Sequence, residues 1–220
     1  MFKNKKFLGI IVARENSKRL KKKNLKLLLG KPLVYYTIKA AKKSLFLDRV
    51  ILSSESKNIL KIAKKFSCET PFVRPKYLSN DNVGATEVVY HAIKKVKKKY
   101  DFLVLLQPTS PLRNANDIDK AIIKIVNKKA LCLISVYRSK IPQKFPININ
   151  KKLISKVRIN SKKNNNYYLN GAIYIANINY FIKKKSFYSK KSIPFFMLKK
   201  RSIDVDNIKE FNQAKKYLKK

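Results

Sequence analysis

Four short, almost uninterrupted apolar runs constrain this chain more than any other feature. They are FLGIIVA at 7–13, RVILS at 49–53, FLVLL at 102–106 and LCLISV at 131–136. A strand with one wet face alternates apolar and polar side chains, whereas a strand covered on both faces does not. Between the runs, apolar residues recur at helical spacing. Segment 32–45 opens on Pro32, which suits a first helical turn. In 56–66, Ser56 is placed to cap, and Ile59, Ile62, Ala63 and Phe66 share a face. In 84–98, Val88, Ala92 and Val96 form a stripe beside Val89 and Ile93. In 115–126, Ala115, Ile118, Ala121, Ile122 and Ile125 do the same. Such alternation predicts an α/β fold, a mostly parallel sheet with helices on both faces.

The length, 220 residues, suits a single domain spanning 1–220. A further strand is expected at 171–176 (GAIYIA) and a last helix at 207–218, with Ile208, Phe211, Ala214 and Leu218 inward. Residues 137–169 form an excursion before these elements. They hold prolines, many asparagines and no long helical stripe, and read as a β-hairpin arm, a dimer contact or a flap. No internal repeat is present. No apolar stretch approaches the roughly 20 residues of a spanning helix. The start, MFKNKK, has no long apolar run or small-residue cleavage site behind it. The expectation is a cytoplasmic protein with no membrane partner. Cys68 and Cys132 lie far apart in apolar surroundings and read as buried thiols. His91 falls within a helical pattern and reads as structural.

The formal net charge is +41, from 53 Lys and Arg against 12 Asp and Glu. Of the basic residues 45 are Lys and 8 are Arg. Lys, Asn and Ile have A/T-rich codons, so the lopsided composition fits codon bias better than selection for phosphate grip, where the planar Arg fork is favoured. A nucleic-acid-binding module would gather its basic residues on one face and interleave aromatics. Here the lysines are scattered through most helices, and no specific nucleic-acid partner is expected.

Three loops can carry chemistry. In open α/β sheets, ligands bind beyond the carboxyl ends of the strands. ARENSK follows the first strand directly, and a loop there can aim Arg14, Lys18 and Lys23 at one anion. Ser17 adds a hydroxyl, and Asn24 can read a base or sugar edge. The loop is neither GxxxxGK[ST] nor GxGxxG. LLQPTSPLRNANDI follows the third strand. Its two prolines bracket Thr109 and Ser110, Gln107 offers a donor and an acceptor, and Arg113 stands where the next helix begins. Its structural alternative is a Pro-rich turn with Asn114 as a cap. In RSIDVDNIKEF, an extended backbone puts Asp204 and Asp206 on one face, with Ile203 and Val205 on the other. Paired carboxylates suit a hard cation held against substrate phosphates. The alternative is that Asp206 caps the last helix.

Taken together, these stretches resemble the acylneuraminate cytidylyltransferases, the CMP-sialic acid synthetases and their relatives for bacterial nine-carbon sugars. The likeness runs nearly end to end. It includes ARENSK, the KN pair and GKPL, then RVILSSES, PFVRPKYLSND, LLQPTSPLR, YLNGAIYI and DVD. Departures are Lys21 where the family often has Pro, Ser54-Glu55 where it usually has Thr-Asp, and Asn80 where a Ser or Thr often precedes Asp81. The segment before YLNGAIYI is also short. The resemblance implies a Rossmann-like nucleotidyltransferase fold, CTP as substrate, Mg²⁺ as cofactor and a homodimer. It implies that Arg14, Ser17, Lys18, Lys23, Asn24 and Arg74 hold the nucleotide. Gln107, Thr109, Ser110, Asn170 and Gly171 would serve the sugar, and Asp204 and Asp206 the metal. Lys23, with Arg14, would be the counter-charge to the transition state, and a metal-bound water or Asp206 the candidate base. The implied reaction is attack by the anomeric hydroxyl of a nonulosonic acid on the α-phosphorus of CTP. N-acetylneuraminate is the first expectation, with legionaminic and pseudaminic acids as alternatives. A shorter acid such as Kdo is disfavoured, because its Ser-Thr-Arg opening is absent.

Overall fold

A computed structural model describes residues 1–96, 99–139, 146–150, 153–156, 166–190 and 192–219. The chain opens with β1 (Phe7–Val12), a small hairpin of β2 (Leu27–Leu28) and β3 (Lys31–Pro32), and α1 (Leu33–Lys42). Next come β4 (Arg49–Ser53), α2 (Lys57–Lys65), α3 (Ala85–Lys95), β5 (Phe102–Leu106) and α4 (Ala115–Asn127). The second half holds β6 (Cys132–Arg138), β7 (Pro146–Asn150), β8 (Leu153–Lys156) and β9 (Tyr167–Asn177). It closes with α5 (Ile178–Lys184), β10 (Ser192–Phe196) and α6 (Ile208–Leu218).

The main sheet runs β10-β6-β9-β5-β1-β4, with β7 on β9 and β8 on β7. β4, β1 and β5 are parallel, Ile10 lying opposite both Ile51 and Leu105. β10 is parallel to β6, and β9 runs antiparallel between β5 and β6. The sheet is therefore mostly parallel, as the apolar runs predict.

Strand side chains alternate between two apolar layers. Phe7 and Ile11 of β1, with Val104 and Leu106 of β5, pack under Val34 and Ile38 of α1, Ile59 of α2 and Ile122 of α4. Leu8, Ile10, Leu103 and Leu105 point the other way, against Val89 and Ala92 of α3 and Phe181 of α5. Burying each such Leu, Ile or Phe contributes roughly 1.5–3 kcal/mol. That double burial is why these strands carry no polar alternation. Cys68 and Cys132 are buried free thiols.

Helix starts follow the expected chemistry. Ser56 Oγ accepts from the Ile59 amide at 3.3 Å, and Asn114 forms a capping box with Asp117. One expectation is corrected. The cap of α6 is Asn207, boxed with Glu210, and not Asp206. Asn outranks its neighbour because its amide oxygen reaches the Glu210 amide at 3.0 Å. Asp206 is thereby left to face the cleft described below.

Elements outside the expected set include the small β2–β3 hairpin, α5 and β10. β10 is five residues long with Pro194 in it, at the sheet edge where a missing amide is tolerated. The strand expected at 171–176 is longer, because β9 starts at Tyr167 and passes through Gly171 with φ +69. The described part of the 137–169 excursion takes in the end of β6, a β-hairpin of β7 and β8, and the start of β9, which β7 joins at Ile147–Tyr167. The rest of the excursion (140–145, 151–152 and 157–165) lies outside the described residues.

Candidate active site

The carboxyl ends of β1 and β5 open into a cleft of about 540 Å³. Its walls include Arg14, Ser17, Lys18, Lys23, Asn24, Arg74, Gln107, Thr109, Asp204 and Asp206. Ten of the residues singled out in the sequence thus meet in one place. Arg19 and Asp81, not singled out, line it as well.

The loop after β1 turns back on itself. Lys22 takes φ +50, and Lys23–Leu25 form one 3-10 turn. That turn buries Asn24, whose Nδ2 donates to the Arg14 carbonyl at 2.8 Å. Among the described residues, the buried Asn24 Oδ1 has no hydrogen-bond partner. Lys23 is only 12% exposed, and its Nζ lies 3.0 Å from Asp206 Oδ1. Arg19 reaches the other Asp206 oxygen at 2.8 Å. Across the cleft, Arg14 and Lys18 each lie 2.8 Å from Asp81. The Lys18 and Arg14 cations hold the exposed Asp81 carboxyl below its usual value.

The opposite wall is the segment 203–207. Ile203 and Val205 are buried with Leu28, Leu33, Phe211 and Ala214. Alternation then turns Asp204 and Asp206 into the cleft, as the sequence implies. The Val205 amide donates to the Thr109 carbonyl at 2.7 Å, tying this wall to the loop after β5. Burial pushes Asp204 up to about 6, against a hydrogen bond from Thr109, and the Asp206 charge adds to the rise. Its Oδ1 is buried without a partner. Among the described residues, no group of three or more His, Cys, Asp and Glu is placed to hold a metal ion.

Gly171 does not line the cleft but lies beside two residues that do, Gln107 and Asp204. A Cβ there would lie 3.3 Å from Gln107 Oε1 and 3.6 Å from Asp204 Oδ2. Ser110 and Asn170 stand differently. Ser110 is buried, and its hydroxyl bonds the Asn170 carbonyl at 3.5 Å. Asn170 Oδ1 accepts from Ser135 Oγ at 2.6 Å and the Ala172 amide at 3.1 Å, while its Nδ2 donates to Ser202 Oγ at 3.0 Å. The Asn170 side chain is thus a clamp between β6, β9 and the carboxylate segment. It also lines a smaller cleft of about 210 Å³ with Tyr137, Lys199, Asp204 and Asp206.

Arg113 escaped the sequence reading except as a helix-start residue. It is buried, with Nη1 donating to the carbonyls of Gln107 and Ala172, each at 3.2 Å. Burial lowers its pKa to about 10. Glu55 was visible only as a departure from the resembling family, and its bonds are described below.

A doubly covered α/β sheet, a cation-lined loop beyond β1 and a carboxylate pair facing it define a nucleotide-handling enzyme of the nucleotidyltransferase class. The comparisons narrow this. The chain belongs to the cytidylyltransferase family, whose model matches residues 8–219. It is 35% identical to the N-acylneuraminate cytidylyltransferase of Escherichia coli over 95% of its own length, and spans about half (51%) of that relative. It is 34% identical to the CMP-N,N'-diacetyllegionaminic acid synthase of Legionella pneumophila, covering 91% of each chain. The solved structure of CMP:2-keto-3-deoxy-manno-octonic acid synthetase complexed with CTP superimposes with a TM-score of 0.80 at 14% identity, over 97% of this chain and 98% of that one. At that identity the likeness bears on the fold.

Proposed function

We propose that the protein transfers CMP from CTP to the anomeric hydroxyl of a sialic-type nonulosonic acid, releasing pyrophosphate. The observation that carries the proposal is the largely sheltered Lys23, set against Asp206 in a cleft that also holds Arg14, Lys18 and Arg19. The relatives named above support the substrate classes, CTP and a nine-carbon sugar acid.

The residues divide the work. Arg14, Lys18 and Arg19 exchange their carboxylate partners for the triphosphate. Asn24 Oδ1 accepts from the nucleoside, which relieves its burial without a partner, and Ser17 adds a hydroxyl. Arg74 borders the nucleotide end. Lys23 stabilises the negative charge that spreads over the α-phosphoryl oxygens in the transition state. Gln107 and Thr109 orient the sugar acid, with Gly171 leaving room beside them. Asp206, freed as Lys23 and Arg19 turn to phosphate, takes the hydroxyl proton. Ser110 and Asn170 act by holding the walls in place.

The carboxylate pair fits Mg²⁺. Asp204 has a buried oxygen with no partner among the described residues, the kind of atom a hard cation would satisfy. When bound, the metal would neutralise phosphate charge. A homodimer, with the β7–β8 arm as its contact, and a cytoplasmic location belong to the same reading. Among the described residues, no helix is long and apolar enough to cross a membrane.

The test is pyrophosphate release from CTP and Mg²⁺ with N-acetylneuraminate, legionaminate, pseudaminate and Kdo offered separately. Release with one nine-carbon acid is expected. Lys23→Ala should lower kcat by about 10²–10³-fold with CTP still bound. Folded protein that binds no CTP would overturn the proposal.

A further inference from the structure

Behind the wall of the cleft lies a carboxylate that does not itself line it, Glu55, just past the end of β4. Its side chain is 14% exposed. One oxygen accepts from the Glu15 amide at 2.9 Å. The other accepts from Arg74 Nη2 at 2.5 Å and from Ser79 Oγ at 3.0 Å. Glu15 in turn reaches back with its carboxylate to Ser56 Oγ and to Asn58 Nδ2. The loop after β1 is therefore cross-braced to the start of α2.

Arg74 is 3% exposed, and among the described residues Glu55 is its one acidic partner. Its Nη2 also donates to the Ala13 carbonyl at 2.9 Å, its Nε to Ser79 Oγ at 3.1 Å and its Nη1 to the Ser53 carbonyl at 3.4 Å. A guanidinium carries five N–H groups. These bonds occupy both on Nη2, the one on Nε and one of the two on Nη1. The last Nη1 donor belongs to a residue that lines the cleft. Ser79 adds a further link, because its carbonyl accepts from Arg14 Nη1 at 3.3 Å.

We infer that Glu55 is a positioning residue for nucleotide binding, fixing the Arg74 guanidinium and the first turn of the Arg14–Lys23 loop with one carboxylate. The inference rests on the CTP reading of the cleft. Without the Glu55 charge, Arg74 loses its counter-ion inside the protein, and the Glu15 amide loses the acceptor that sets the loop's exit from β1. Glu55→Gln keeps one acceptor for the Glu15 amide. It also turns an N–H₂ donor toward Arg74 Nη2, where donor meets donor. Glu55→Asp keeps the charge and shortens the reach by one methylene.

The distinguishing readout is which kinetic constant moves. A residue that shapes only the nucleotide site alters binding of CTP and leaves the sugar acid and the chemical step nearly alone. Glu55→Gln should raise KM for CTP and its calorimetric Kd about tenfold, with kcat and KM for the sugar acid within about threefold of wild type. Glu55→Asp should restore most of the CTP affinity. Unchanged CTP affinity in Glu55→Gln would overturn the inference while leaving the cytidylyl reading intact. So would equal losses toward both substrates. If Glu55→Gln does not fold, Glu55→Asp decides, with about a threefold rise in the CTP Kd expected and no rise overturning the inference. Wild-type protein that binds no CTP removes the reading and the inference together.

Discussion

Gly171 shows how much of the site depends on single atoms. Its φ of +69 is a conformation that costs a residue with a Cβ roughly 1–2 kcal/mol. The space beside it is filled by Gln107 and Asp204. Gly171→Ala should therefore lower Tm by about 3–6 °C, by the scaling for a domain of this size, and crowd both walls of the cleft. Steady-state kinetics should show a fall in kcat of at least about tenfold. A variant with wild-type Tm and kcat would show that neither strain nor crowding matters there. At this scale the sequence was legible where periodicity fixes direction. Buried Ile203 and Val205 oblige Asp204 and Asp206 to face the other way. It was not legible for Ser110 and Asn170, because nothing local says whether a polar side chain points at a ligand or at its own sheet. Asn170 bonds Ser135 and Ser202 through its amide, partners 35 and 32 residues away along the chain. Arg113 was hidden for the same reason, its acceptors being carbonyls of β9 and of the loop after β5.

Among the elements, α6 has the most direct bearing on the site. Its capping box shares Glu210 between two amides, those of Asp206 at 2.6 Å and Asn207 at 3.2 Å. The cap thus holds the helix start and the carboxylate segment together. Asn207→Ala should cost about 1 kcal/mol, a drop in Tm of about 2–4 °C. It should also reduce kcat more than CTP affinity, as Asp206 loses its fixed orientation toward Lys23. Chemical denaturation alongside kinetics would check both, and an intact kcat would separate the cap from the site. The strands legible in advance, β1, β4, β5, β6 and the 171–176 part of β9, are those with long apolar runs, where composition alone marks them. β10 was not, because Pro194 interrupts it and an edge position excuses the lost amide. α5, only seven residues, carries its Asn177 cap but is too short to show a stripe.

For the whole molecule the dominant quantity is charge. A net +41 over 220 residues opposes compaction through self-repulsion that added salt screens. Raising NaCl from about 10 mM to about 150 mM should therefore raise Tm, while the same change weakens CTP binding to the basic loop. Opposite slopes in calorimetry and in titration would bear this out, and a Tm that falls with salt would contradict it. The overall architecture was readable from four apolar runs. The antiparallel insertion of β9 was not, since strand direction depends on where the connecting chain crosses, which composition does not record.

The two carboxylates that hold Arg14, Lys18, Arg19 and Lys23 have an effect that reaches beyond the cleft. In a chain so rich in lysine, any anion in the cell is a potential lodger. Here an arriving anion must evict Asp81 and Asp206, so occupancy becomes a competition decided by charge density. Chloride and single phosphates compete poorly against carboxylates already tethered in place, whereas a nucleoside triphosphate brings several charges on one frame. Two of the protein's few acidic residues thus act as doorkeepers for its many basic ones.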